Sequence, residues 1–113
     1  MIHIKRIYDE YDENDGFRVL VDRLWPRGIT KEEAHLDIWL KEIAPSNDLR
    51  KWFNHDPEKW DEFQKRYKEE LLNNTEIVEQ LKNINKKQKK LTLLYGAKNK
   101  EYNQAVVIAS LLM

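Results

Sequence analysis

The chain has 113 residues, with four Trp, five Tyr, three Phe, no Cys and equal numbers of basic and acidic residues. That length holds one domain with one modest core, and an apolar share of 41% is enough to fill it, which excludes a disordered chain. Zero formal charge removes a bulk electrostatic grip on nucleic acid, and the absence of cysteine removes disulfides, thiolate metal sites and persulfide chemistry.

"IHIKRIYD" (2–9) alternates at its start, Ile2 and Ile4 on one face and His3 and Lys5 on the other, as a half-buried strand does. The acid-rich "DEYDENDG" (9–16) ends in Asp15-Gly16 and predicts a turn. "FRVLVDRL" (17–24) predicts a more buried strand. The two strands could form a hairpin or lie parallel with a tight crossover. In "TKEEAHLDIWLKEIA" (30–44), Thr30 and Glu33 have the spacing of a capping box. Leu36, Trp39, Leu40 and Ile43 then recur at helical spacing, so the stretch predicts one helix, ended by Pro45. Ser46 is placed to cap a short helix over 47–53.

Asp56 and Pro57 open a predicted helix over 55–72, with Trp60, Phe63, Tyr67 and Leu71 as its buried stripe. Thr75 is placed to cap the next, and the lysine-rich "NINKKQKK" (83–90) reads as a connector. "LTLLYGA" (91–97) is a continuous apolar run, the mark of a central strand covered on both faces. Asn99 is placed to cap a final helix that carries Ala105, Ile108, Ala109 and Leu112 on one stripe. The order β-β-α-α-α-α-β-α predicts one α/β domain over 1–113, a small, mostly parallel sheet flanked by several helices. The N-terminus is too polar for a signal peptide and no apolar run approaches a membrane span, so the chain reads as soluble and cytoplasmic, with no membrane partner.

Ligands of open parallel sheets sit beyond the carboxyl ends of the strands. The second strand leaves through Asp22-Arg23 into Trp25-Pro26-Arg27-Gly28, and the third ends in Tyr95-Gly96-Ala97. A helix start follows each within a few residues, and helix N-termini favour anions. Arg23, Arg27 and Lys31 can therefore converge on one negative group, which a planar guanidinium binds bidentately. The plainer alternative is that Asp22 only pairs with an arginine while Trp25 and Pro26 only pack.

His55 is the one titratable group near neutrality in mid-chain, with helix capping as its alternative role. Arg50 either joins the anion cluster or stands in solvent, and the amide of Asn103 can point into the same crevice. The candidate proton-handling residues are thus Asp22, His55 and Tyr95, with Asp22 also orienting the cations. The candidate ligand-binding residues are Arg23, Arg27, Lys31, Arg50 and Asn103. On this reading Asp22→Asn destabilises, whereas Arg27→Ala does not. No set of His and carboxylates has metal spacing and no Gly-rich phosphate loop occurs, so neither metal nor cofactor is expected. The expected partner is a small anionic molecule, and whether the domain is also an enzyme stays open. Two other readings are a nucleic-acid accessory module using Lys82, Lys86, Lys87, Lys89 and Lys90, and an interaction module presenting tryptophans. Neutral net charge, and lysines without interleaved aromatics, argue against the former.

"VDRLWPRGITKEEA", "WLKEIAPSNDLRKWFNHDPEKWDEF" and "TLLYGAKNKEYNQAVV" together resemble the YeaO-like family, a bacterial and archaeal group classed as a domain of unknown function. The resemblance runs from about Ile4 to Leu112 and implies no assigned activity. The family's motif residues fall on Asp22, Arg23, Trp25, Pro26, Arg27, Gly28 and Lys31. They also fall on Pro45, Ser46, Arg50, Trp52, Phe53, His55, Tyr95, Ala97 and Asn103. Gly96 and Asn99 depart from it, standing where the family usually has Ala and Asp.

Overall fold

A computed structural model describes residues 2–113. The apolar runs form β1 (Ile2–Arg6), β2 (Phe17–Leu20) and β4 (Leu91–Tyr95), joined by a two-residue strand, β3 (Ile38–Trp39). All pairings are parallel, in the order β1-β4-β2-β3. Since β4 lies between β1 and β2, the hairpin alternative falls and the parallel arrangement holds.

The register aligns Ile4, Leu93, Val19 and Ile38 on one face and Lys5, Leu94, Leu20 and Trp39 on the other. Helices α2 (Asn47–Phe53), α3 (Trp60–Leu72), α4 (Thr75–Lys87) and α5 (Gln104–Leu112) supply the main core over the first face, through residues such as Leu49, Phe63, Tyr67, Leu81 and Ile108. A smaller cluster of Ile7, Leu20, Ala34 and Leu94 covers the second face, with Trp25, Ile29, Leu36 and Trp39 packed around it. Burial on both faces is why "LTLLY" shows no polar alternation. Phe63 and Leu93 are buried, as their spacing predicts, while Trp39 and Trp60 are half-buried at the margins of their clusters.

The predicted helix over 30–44 does not form. Thr30 and Glu33 do make their capping box, but helix α1 covers only Lys31–Ala34 and stops at His35, which is left-handed at φ 49°. The cause is a tertiary contact. The guanidinium of Arg18, 1% exposed, donates to the carbonyls of Ala34 and His35, and the Arg18 N–H donates to the Asp37 carboxylate at 2.8 Å. Those carbonyls accept from Arg18, and the chain runs on as β3, where the Asp37 and Leu40 N–H groups donate to Arg18 and Leu20 carbonyls. The apolar spacing survives but divides, Leu36 and Trp39 joining the smaller cluster and Leu40 and Ile43 the larger.

Two predicted caps also move. Thr75 is the first residue of α4, and Asn74 stands at its cap position. Asn103, not Asn99, caps α5 by accepting from Val106 N–H at 3.2 Å, while the Asn99 side chain accepts from Glu101 and Tyr102 N–H. Among the described residues no helix is long and apolar enough to cross a membrane.

The buried ring of Tyr67 on α3 donates its hydroxyl to the Ile43 carbonyl at 2.6 Å, which fixes the turn after β3. Tyr67→Phe leaves that carbonyl without its partner. It should lower stability by about 1–1.5 kcal/mol in a denaturant titration, and no change would show that water replaces the hydroxyl.

Candidate functional site

Parallel strands bring their carboxyl ends to one edge. Beyond β2 and β4 the chain continues to Asp22 and Gly96, and the Asp22 carboxylate accepts the Gly96 N–H at 2.8 Å. Its second oxygen accepts from the side-chain amide of Gln104, the first residue of α5, and its backbone carbonyl accepts from the Trp39 indole at 2.7 Å. Asp22 thus ties together β2, β3, β4 and α5. The approach is close: a Cβ at Gly96 would lie 2.8 Å from the Asp22 carboxylate, so a larger residue there needs that side chain to shift. Burial pushes the Asp22 carboxyl up to about 6, against the opposing pull of the Gly96 and Gln104 donors and of the Arg50 charge.

The arginines divide into two kinds. Arg23 donates to the carbonyls of Pro45 and Ala44 at 3.1 and 2.9 Å, holding the entry to α2. Ser46 then caps α2 and is itself fixed by the Glu70 carboxylate, at 2.9 Å to its N–H and 2.6 Å to its hydroxyl. One turn into α2, Arg50 donates through one terminal nitrogen to the Asn47 side chain, but its Nε is buried and has no partner among the described residues. Arg27 is exposed, and among the described residues its guanidinium makes no hydrogen bond or ion pair, although its backbone carbonyl accepts the Tyr8 hydroxyl at 2.6 Å.

Helix α2 ends in two successive left-handed residues, Asn54 at φ 47° and His55 at φ 55°. This conformation is costly for a side chain with a Cβ, by about 1–3 kcal/mol each. It sets the exposed His55 beside the same cavity.

These groups surround a cavity of about 380 Å³. Asp22, Arg23, Arg27, Arg50, His55 and Asn103 all line it, together with an apolar wall that includes Phe53, Phe63 and Tyr102. Three arginines and one carboxylate, whose ionisation is itself opposed, line the cavity, so its lining carries an excess of positive charge. Two of the sequence candidates stand elsewhere. Lys31 is exposed at the start of α1 and is not part of the lining. Tyr95 ends β4 at the right edge, but it is buried in the main core, and burial, with the nearby Asp9, raises its phenol.

Asn103 reaches the cavity with its amide already engaged, one end capping α5 and the other donating to the Asn99 carbonyl at 3.0 Å. Gln104, Phe53 and Tyr102 are lining residues that the sequence did not single out as contacts. Only Phe53 carried a signal, one helical turn from Arg50. The exposed Lys86, Lys87, Lys89 and Lys90 lie before β4, toward the opposite end of the strands. All four tryptophans are half-buried, with Trp25 packed edge-on to Trp39 and Trp60 stacked on Phe63. Among the described residues no group of three or more His, Asp or Glu could hold a metal ion.

The model of a family described as "Inactive DUF488-N3 subclade" matches residues 1–113. The chain belongs to this family. Within the same kinship, it is similar to the uncharacterized protein YeaO of Escherichia coli (strain K12), 48% identical over 108 residues, which cover 96% of this chain and 93% of that protein. It is also similar to the uncharacterized protein Rv3073c of Mycobacterium tuberculosis (strain ATCC 25618 / H37Rv) and Mb3100c of Mycobacterium bovis (strain ATCC BAA-935 / AF2122/97). Each is 47% identical over 78 residues, covering 69% of this chain and 66% of the mycobacterial one. The match therefore spans slightly less than two thirds of the mycobacterial proteins. No solved structure matches.

Proposed function

We propose that this DUF488-N3 domain binds a small oxyanion-bearing molecule at the carboxyl ends of β2 and β4 and performs no reaction on it. The observation that carries this reading is Arg50, which lines the cavity and whose buried Nε has no hydrogen-bond partner among the described residues. An unsatisfied donor in a folded protein costs about 1–3 kcal/mol, and turning the guanidinium toward a ligand oxygen would relieve it. The free guanidinium of Arg27 supports the same chemistry from the opposite loop. Arg23 serves by fixing α2, and Asp22 by locking the strand ends to α5. The two left-handed residues before the cavity fit the tendency of strained backbone to gather at ligand sites. The volume, about 380 Å³, is that of a small-molecule cleft. The word "inactive" in the family's description favours binding without turnover, which turns the candidate proton-handling roles of Asp22 and His55 into positioning and rim roles.

Thermal shift at constant ionic strength tests the site with inorganic phosphate, pyrophosphate, benzoate and adenosine monophosphate. The parent protein should gain stability with at least one of them, by about 2.7 kcal/mol at a hundredfold excess over Kd. Arg27→Ala has no bond to lose and relieves repulsion among cations. Its unliganded stability should stay within about 0.5 kcal/mol of the parent, while the gain from the anion shrinks. A parent that responds to none of the four anions would sink the proposal.

A further inference from the structure

We infer that the oxyanion this cavity accepts is carried on a planar aromatic ring, a carboxylate or phosphate attached to one small ring system. The inference rests on the anion-site reading and adds the body of the ligand to it. Arg50 and Phe53 stand three residues apart on α2 and both line the cavity. Side chains at that spacing share a helix face, with Cβ atoms about 5–6 Å apart. The unpartnered donor therefore lies one helical turn from an aromatic ring.

That ring belongs to a connected set. Phe53 stacks on Phe63 at 4.2 Å between centroids, Phe63 stacks on Trp60 at 5.6 Å, and Trp60 meets Tyr102 at 5.2 Å. Phe53, Phe63 and Tyr102 all reach the cavity. The apolar wall is thus held rigidly by core packing rather than by mobile side chains, and it is preorganised for a flat partner. A bare phosphate or acetate would satisfy the free donors but leave the exposed parts of this wall, chiefly the half-buried Tyr102 with the small accessible fractions of Phe53 and Phe63, facing water in a cavity of about 380 Å³. A ring beside the anion covers it.

Calorimetric titration of the whole chain with four ligand pairs separates the possibilities. Phenyl phosphate should bind at least about tenfold more tightly than inorganic phosphate, and benzoate than acetate. The two pairs also show whether phosphate or carboxylate is the preferred head group. Benzoate should also exceed cyclohexanecarboxylate, which matches its size without its planarity, and benzamide, which lacks the charge. Tyr102→Leu should narrow the gap between phenyl phosphate and phosphate, whereas Arg50→Gln should weaken both. Phosphate binding as tightly as phenyl phosphate overturns the ring while leaving the anion site standing. Cyclohexanecarboxylate equal to benzoate overturns planarity. Binding of none of these molecules overturns the anion site itself. The ligand series on the parent protein decides the matter even if Tyr102→Leu folds poorly.

Discussion

Arg18→Met is expected to lower stability by about 3–5 kcal/mol, a fall in Tm on the order of 15 °C for a chain of this size. Arg18 is almost wholly buried on β2, between β4 and the end of α1. Its guanidinium pairs with the Asp15 carboxylate and donates to two backbone carbonyls, and Lys5 holds Asp15 from the other side at 3.0 Å. Asp15 in turn closes the turn before β2, and its carbonyl accepts the Thr92 hydroxyl at 2.7 Å. Removing the guanidinium leaves a buried carboxylate with one cation and two carbonyls without donors. Arg18→Lys should recover little, because one ammonium cannot span three acceptors in fixed geometry.

Adding Asp15→Asn to Arg18→Met should return part of the loss, since the uncompensated charge is then gone. Burial pushes the Asp15 carboxyl up, but Lys5, the Asp12 N–H and Arg18 outweigh it and hold it below its ordinary value. Its contribution is therefore complete above about pH 4 and lost as the pH falls further. The difference between parent and Arg18→Met should narrow in acid melts, leaving the part due to the two carbonyls. A loss below about 1 kcal/mol at pH 7 would mean that this cluster contributes only what an exposed pair does.

Asp22→Asn is expected to act in the opposite direction, raising stability at pH 7–8 by about 2–3 kcal/mol. Burial lifts the Asp22 carboxyl to about 6, so the folded state holds its proton more tightly than the unfolded chain does. The cost of ionising it is absent below about pH 4, grows between about pH 4 and 6, and is complete above that. Asparagine can keep the contacts: its oxygen accepts the Gly96 N–H, and its nitrogen donates to Gln104 once that amide is turned over. Melts across pH 4–8 check this. The gain should vanish near pH 4, and destabilisation at pH 8 would show that the negative charge itself holds the strand ends together. The sequence suggests the reverse sign, because it gives Asp22 the role of orienting the arginines. Arg23 in fact turns away to the carbonyls of Ala44 and Pro45, and burial decides the energy.

The sequence by itself determined the elements whose signals are local or periodic. The continuous apolar run of β4, the Asp56-Pro57 start, the Thr30–Glu33 capping box and the stripe of α3 are each set by side chains within a few residues, so composition and spacing suffice. Parallel pairing of β2 and β4 also follows from the long helical connection between them, and it brings Asp22 and Gly96 to one edge.

Tertiary structure alone decided the rest. The helical stripe at 36–43 broke into the two-residue strand β3 and a 3-10 turn over 41–43, because Arg18 on β2 captured the carbonyls that would have extended α1. Asn103 took the cap from Asn99 because its buried amide bonds both Val106 and the Asn99 carbonyl. The division of the arginines into clamp and free donor, the withdrawal of Tyr95 into the core and the raised Asp22 carboxyl all depend on burial. Burial is a sum over residues distant in the chain, and no local pattern carries it.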